Sequence, residues 1–149
     1  MFGFGKGNLE IQINKLNFSP GETIDGNVLL KLNKPVKAKE LSIRFYGDER
    51  VPRMTHKGRP STKTIIVYEF KQSLDGEKKY PANEELIYPF KIKIPPNVPR
   101  QTAPHDAIGT VLQTAQLLSG ARGVCWYLVS NLNIPWAFDI DKKVQITIS

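Results

Sequence analysis

The sequence predicts an all-β antiparallel sandwich with one short helix, and three observations predict it. Apolar and polar residues alternate with a period of two in segment after segment, turn residues punctuate these segments, and a single stretch has helical periodicity. With 149 residues, 40% of them hydrophobic, the chain can bury a core and fits one domain, residues 1–149.

The opening, Gly3-Phe4-Gly5-Lys6-Gly7, is glycine-rich but precedes a strand and no helix, so it reads as a flexible arm over 1–7 and not as a phosphate cradle. Leu9, Ile11 and Ile13 then alternate with Glu10, Gln12 and Asn14. Phe18-Ser19-Pro20-Gly21-Glu22 is a turn in which proline sets one φ and glycine is free to take a positive one. Ile24, Gly26, Val28, Leu30 and Leu32 form the next inward set. Gly26 within that strand points to a bulge or a close backbone approach. After Lys34-Pro35, the set Leu41, Ile43 and Phe45 runs up to Gly47.

Residues 47–63 contain Pro52, Gly58 and Pro60 and have no periodic pattern, so they are expected to form a long loop. Ile65 to Phe70 is apolar on both faces except at Glu69, which predicts a strand covered on both sides. Leu74-Asp75-Gly76-Glu77 marks another turn. Leu86, Tyr88, Phe90, Ile92 and Ile94 alternate cleanly. Pro89 in the outward set has no N–H to give, which places that strand at a sheet edge or beside a bulge.

The prolines from Pro95 to Pro99 end that strand. A helical insertion over 100–123 follows, capped by Asp106, striped by Ile108, Val111, Leu112, Ala115 and Leu118, and stopped by Gly120. Such a stripe ordinarily covers an open end of a sandwich, with a partner-docking helix as the alternative. Val124, Trp126 and Leu128 resume the strand pattern, Ile134-Pro135-Trp136 bends the chain, and Val144, Ile146 and Ile148 close it.

Several function classes lose support at this level. No run approaches the ~20 apolar residues of a spanning helix. Neither a secretory signal nor a myristoylation pattern is present, so a cytoplasmic, soluble protein is expected. Cys125, the lone cysteine, excludes an internal disulfide and a cysteine-based zinc cluster, and its apolar neighbours predict a small buried hydrophobe. His56 and His105 are the two histidines, and neither is spaced to form a catalytic dyad with Cys125. Asp139 and Asp141 share a face, but two carboxylates fall far short of a calcium site. No enzyme activity and no cofactor is expected.

The net charge of +7 and pI near 9.5 raise the possibility of polyanion binding. The local excess is Arg50, Arg53, Lys57, Arg59 and Lys63, entered through Asp48 and Glu49. Runs of this kind are more often solvated than dedicated to a ligand. Trp136, outside the regular alternation, is either partly exposed or a plug at the sandwich end.

The order of these segments resembles the N-terminal domain of the arrestin superfamily, which takes in the arrestins proper, the retromer subunit Vps26 and the sporulation-control proteins of the Spo0M type. Four segments carry the resemblance. The first is Phe18-Ser19-Pro20-Gly21-Glu22 with Gly26. The second is Leu41-Ser42-Ile43-Arg44-Phe45-Tyr46-Gly47. The third is Tyr88-Pro89-Phe90 through Pro95 and Pro99. The fourth pairs Trp126-Tyr127-Leu128-Val129 with the closing strand from Lys142 to Ile148. The resemblance implies an immunoglobulin-like sandwich and a non-enzymatic scaffold or adaptor that binds protein partners. Arrestins pair two sandwiches, so the chain is expected either to be one domain or to be part of a longer protein. An uncovered sandwich face would favour a homodimer. The partner-binding candidates are Arg50, Arg53, Lys57, Arg59, Lys63 and Trp136, acting through strand edges and loops, with nucleic acid or an anionic membrane surface as the alternative partner.

Overall fold

The computed structural model describes residues 7–54, 57–98 and 123–149. Ten strands make up these residues, with no helix among them. The smaller layer is a three-stranded antiparallel sheet in the order β1 (Gly7–Ile13), β3 (Thr23–Leu32), β8 (Glu85–Lys93). The larger has five strands in the order β2 (Asn17–Phe18), β10 (Ile140–Ile148), β9 (Val124–Asn133), β5 (Glu40–Met54), β6 (Pro60–Asp75). A short ladder of β4 (Val36–Ala38) and β7 (Lys78–Tyr80) sits between their connections.

The inward sets expected from alternation are the core. Ile24, Val28, Leu30 and Leu32 of β3, with Phe90 and Ile92 of β8, pack against Leu41, Ile43 and Phe45 of β5, Trp126 and Leu128 of β9, and Ile146 and Ile148 of β10. At the centre, Phe45 stacks on Trp126 with ring centroids 5.1 Å apart, and Tyr68 closes on both rings. The backbone makes room for this indole at Gly47, where an added Cβ would lie 2.6 Å from the ring. Gly26 is a close approach without a bulge, since a Cβ there would stand 2.4 Å from the Gln12 carbonyl oxygen. Gly21 has φ +87° after Pro20, and the Glu22 N–H closes the turn on the Ser19 carbonyl at 3.0 Å. β8 is a sheet edge, as Pro89 required.

Four expectations need correction. Residues 47–63 are mostly strand: β5 runs to Met54 and pairs with β6 from Pro60 onward, leaving a short tip around Gly58. Alternation is missing there because β5 parts from β9 after Glu49, so the hairpin continues with no core to face. Pro52 is tolerated on that two-stranded stretch because one side of β5 has no ladder. Second, β6 is an uncovered edge, with Ile65, Ile66, Val67 and Phe70 exposed. Its ladder with β5 shifts register at two points, leaving Val67 and Leu74 as the extra residues. Third, Cys125 is only half-buried, because β9 turns Val124 and Trp126 into the core and Cys125 away from it. Fourth, Gly7 is not part of an arm, since it pairs with Leu32 and is buried in β1. Residues 1–6, His56, His105 and the expected helical insertion, up to residue 122, lie outside the described residues.

Candidate partner-binding surfaces

The first surface is the hairpin arm of β5 and β6. Arg50 and Lys63 are exposed on it, and Lys57 and Arg59 are exposed on either side of Gly58 at the tip. Arg50 is opposite Thr64 and Lys63 opposite Val51, so these two cations occupy opposite faces of the arm. Arg53 is opposite Ser61 in the same ladder. The structure thus gathers the basic candidates on one projection without focusing them on one face. Nearer the sandwich the arm becomes apolar. Of the eight exposed large hydrophobic residues among those described, Ile65, Ile66, Val67 and Phe70 belong to β6.

The second surface is the β9–β10 turn. Trp136 is 102% exposed and Phe138 91%. Asp139 holds the turn: one carboxylate oxygen accepts the Ile134 N–H at 2.9 Å and the other accepts from Asn131 Nδ2 at 3.2 Å. Those bonds commit the carboxylate to the turn. Trp136 has φ 64°, a left-handed conformation that ordinarily takes glycine after a proline in a tight turn. The plug reading of Trp136 is therefore replaced by full display.

The outer face of the larger sheet carries a third feature. Tyr46 and Tyr127 lie with centroids 5.2 Å apart, with Lys143 Nζ 4.1 Å from the Tyr127 ring and the Arg44 guanidinium 4.2 Å from the Tyr46 ring. Burial, with Cys125 and Asp48 nearby, pushes the Tyr127 phenol up. These contacts pair cations with aromatic faces, and Arg44 also meets Glu69 at 3.1 Å. A shallow groove between β1 and β10, lined by Ile11, Ile13, Leu16 and Val144, is the fourth feature. Among the described residues no group of three His, Cys, Asp or Glu is placed to hold a metal ion, and no helix is long and apolar enough to cross a membrane.

Phe138 and the β6 apolar run were not anticipated as surface features. Phe138 had a signal, since it follows a proline and a non-alternating tryptophan. The β6 run had none, because an uninterrupted apolar stretch reads as buried until its neighbours are known.

The model of the arrestin (or S-antigen) N-terminal domain matches residues 8–149. No curated protein matches the chain. Among solved structures, the sporulation control protein Spo0M from Bacillus subtilis is similar with a TM-score of 0.69 at 17% identity, over 98% of this chain and 50% of that one. The chain therefore spans about half the length of that relative, and the likeness shows the fold. The match over residues 8–149 takes in every strand from β2 to β10 and nearly all of β1, so the chain belongs to the arrestin N-terminal domain family.

Proposed function

We propose that this domain is a non-enzymatic adaptor that binds a protein partner along the β5–β6 arm. One observation carries the reading: β6 is the edge strand of its sheet and leaves Ile65, Ile66, Val67 and Phe70 exposed, alongside the stretch of β5 up to Glu49 that still pairs with β9. An apolar edge with free backbone donors and acceptors suits an extended segment, which adds a strand and buries side chains on both faces. The bulges at Val67 and Leu74 interrupt that edge, which disfavours long edge-to-edge pairing and leaves short pairing stretches. The basic tip then steers acidic partners and adds little net affinity at the rim.

A second reading is polyanion binding at the tip, favoured by the shared exposure of Arg50, Lys57, Arg59 and Lys63. Affinity capture by the domain at low and high salt, read by mass spectrometry, separates the two. A protein retained at high salt by the parent and lost by Ile66→Lys/Val67→Lys supports the adaptor. Equal retention by that variant contradicts it. Recovery of nucleic acid or lipid alone, lost by roughly 10³-fold or more as salt rises from 50 to 200 mM, favours the tip.

A further inference from the structure

We propose that the β9–β10 turn is an interfacial wedge whose ligand is the surface of an anionic lipid bilayer. This site is distinct from the β5–β6 arm and does not depend on it: Asn133, at the foot of the turn, pairs with Glu40 at the start of β5, whereas the arm's tip lies beyond the other end of that strand.

The first observation is the display itself. Trp136 and Phe138 project from a turn tied down by Asp139, and Trp136 holds a backbone conformation that disfavours a bulky residue. The chain spends conformational energy to present an indole that its own core does not use. Tryptophan partitions to the membrane interface because its ring is apolar and its N–H remains solvated there.

The second observation is charge. The Lys39 N–H donates to the Asn133 carbonyl at 2.8 Å, which fixes the β4–β5 corner to the foot of the turn. That corner and the adjoining β4–β7 ladder carry Lys37, Lys39 and Lys79, with Lys34 two residues before β4, all exposed. Lys37 stands directly opposite Lys79 in the ladder. Like charges so placed oppose folding, and among the described residues none of the four joins an ion pair. Of the carboxylates near this end, Glu40 and Asp75 are paired with Lys71 and Lys78, and Asp139 is committed to the turn. Glu77, Glu84, Glu85 and Asp141 stay exposed, so the attraction is local to the lysine corner. Anionic headgroups would relieve the Lys37–Lys79 repulsion while the aromatics enter the headgroup layer, and lysine stems reach that layer without burying their charge.

The protein contains its own reporter, because Trp126 is fully buried and Trp136 fully exposed, and there are no other tryptophans. The test is tryptophan emission, with quenching by brominated acyl chains, on vesicles of phosphatidylcholine alone and of phosphatidylcholine with phosphatidylserine. The expected result is a blue shift and quenching only with phosphatidylserine present, both lost in Trp136→Phe. Vesicle sedimentation is expected to weaken by roughly tenfold in Trp136→Gly/Phe138→Ala. Lys37→Glu is expected to raise the melting temperature, by replacing a repulsion with an attraction, and yet to weaken sedimentation. That split separates a lipid contact from a merely structural role. No shift with phosphatidylserine vesicles, equal binding to neutral vesicles, or sedimentation indifferent to Trp136→Gly/Phe138→Ala would each overturn the proposal. So would a soluble protein bound through Trp136 in the absence of vesicle binding.

Discussion

Gly47 and Trp126 show how closely two residues constrain each other. The indole occupies the space a side chain at Gly47 would need, and it stacks on Phe45. Gly47→Ala must therefore displace the ring or the backbone of β5. We expect it to destabilise the fold by about 1–3 kcal/mol, measured as a shift in the denaturant midpoint. An unchanged midpoint would show that the core relaxes more readily than its contacts indicate. Trp136 is the reverse case: its side chain contributes nothing to the core, and its φ of 64° is a cost. Trp136→Gly should leave stability unchanged or raise it by up to about 1 kcal/mol in the same measurement. A loss of stability would mean that the indole has a structural contact. Cys125, half-buried on the outward side of β9, should tolerate serine within ~0.5 kcal/mol, whereas the buried hydrophobe expected from its neighbours would not.

The elements differ in how far they could be read in advance, and the difference follows from burial. β3 and β8 alternate because one face of each lies against the core, so Ile24, Val28, Phe90 and Ile92 announce themselves. β5 is legible only to Gly47, since its later residues leave the sandwich and no longer need an apolar face. β6 misled for a related reason, because Ile65–Val67 is apolar without being covered. The Asp139 lock was invisible, since it depends on where the chain returns after Phe138. The junction of β6, β7 and β8 was equally hidden. There Asp75 accepts from the Tyr88 hydroxyl at 2.8 Å and from Lys78 Nζ at 2.8 Å, while the Tyr80 hydroxyl donates to the Gly76 carbonyl at 2.7 Å. Burial opposes ionisation of Asp75, but the bonds from Lys78, Tyr88 and the Gly76 N–H prevail and hold its carboxyl below the usual range. A carboxyl lowered by folding adds stability that is present at neutral pH and lost as pH falls through its folded value. Asp75→Asn should therefore cost about 1 kcal/mol at neutral pH and flatten the acid limb of the stability profile. An unchanged acid limb would remove Asp75 from the account. Tyr80 runs the other way: burial, then Asp75 and Glu40, push its phenol from 10.0 up to about 12. Burial and the bond to Asp75 raise Tyr88 as well. Their contribution is complete below pH 10 and lost as pH climbs toward 12 and beyond. In a titration followed by phenolate absorbance, Tyr80 and Tyr88, with Tyr127, should ionise late among the five tyrosines. Ionisation of all five near 10 in the folded protein would contradict that.

At the scale of the molecule, the core and the proposed binding surfaces occupy different places. The core runs from Leu9 to Ile148 through both sheets, while six of the eight exposed large hydrophobic residues among those described lie on β6 and the β9–β10 turn. The family membership follows from the whole order of strands, which the Pro20-Gly21 turn, the Pro89 edge and the closing β9–β10 pair already outlined. The position of the proposed binding surfaces does not follow from that order, because exposure is settled by which strands lie at the edge. The central claim is that β6 is the docking edge. The most direct measurement is amide hydrogen exchange of the domain alone and with its captured partner. Slowed exchange along β6, with β1 and β8 unchanged, is the predicted result. Protection confined to β1, β8 or the β1–β10 groove, with β6 still exchanging freely, would contradict it.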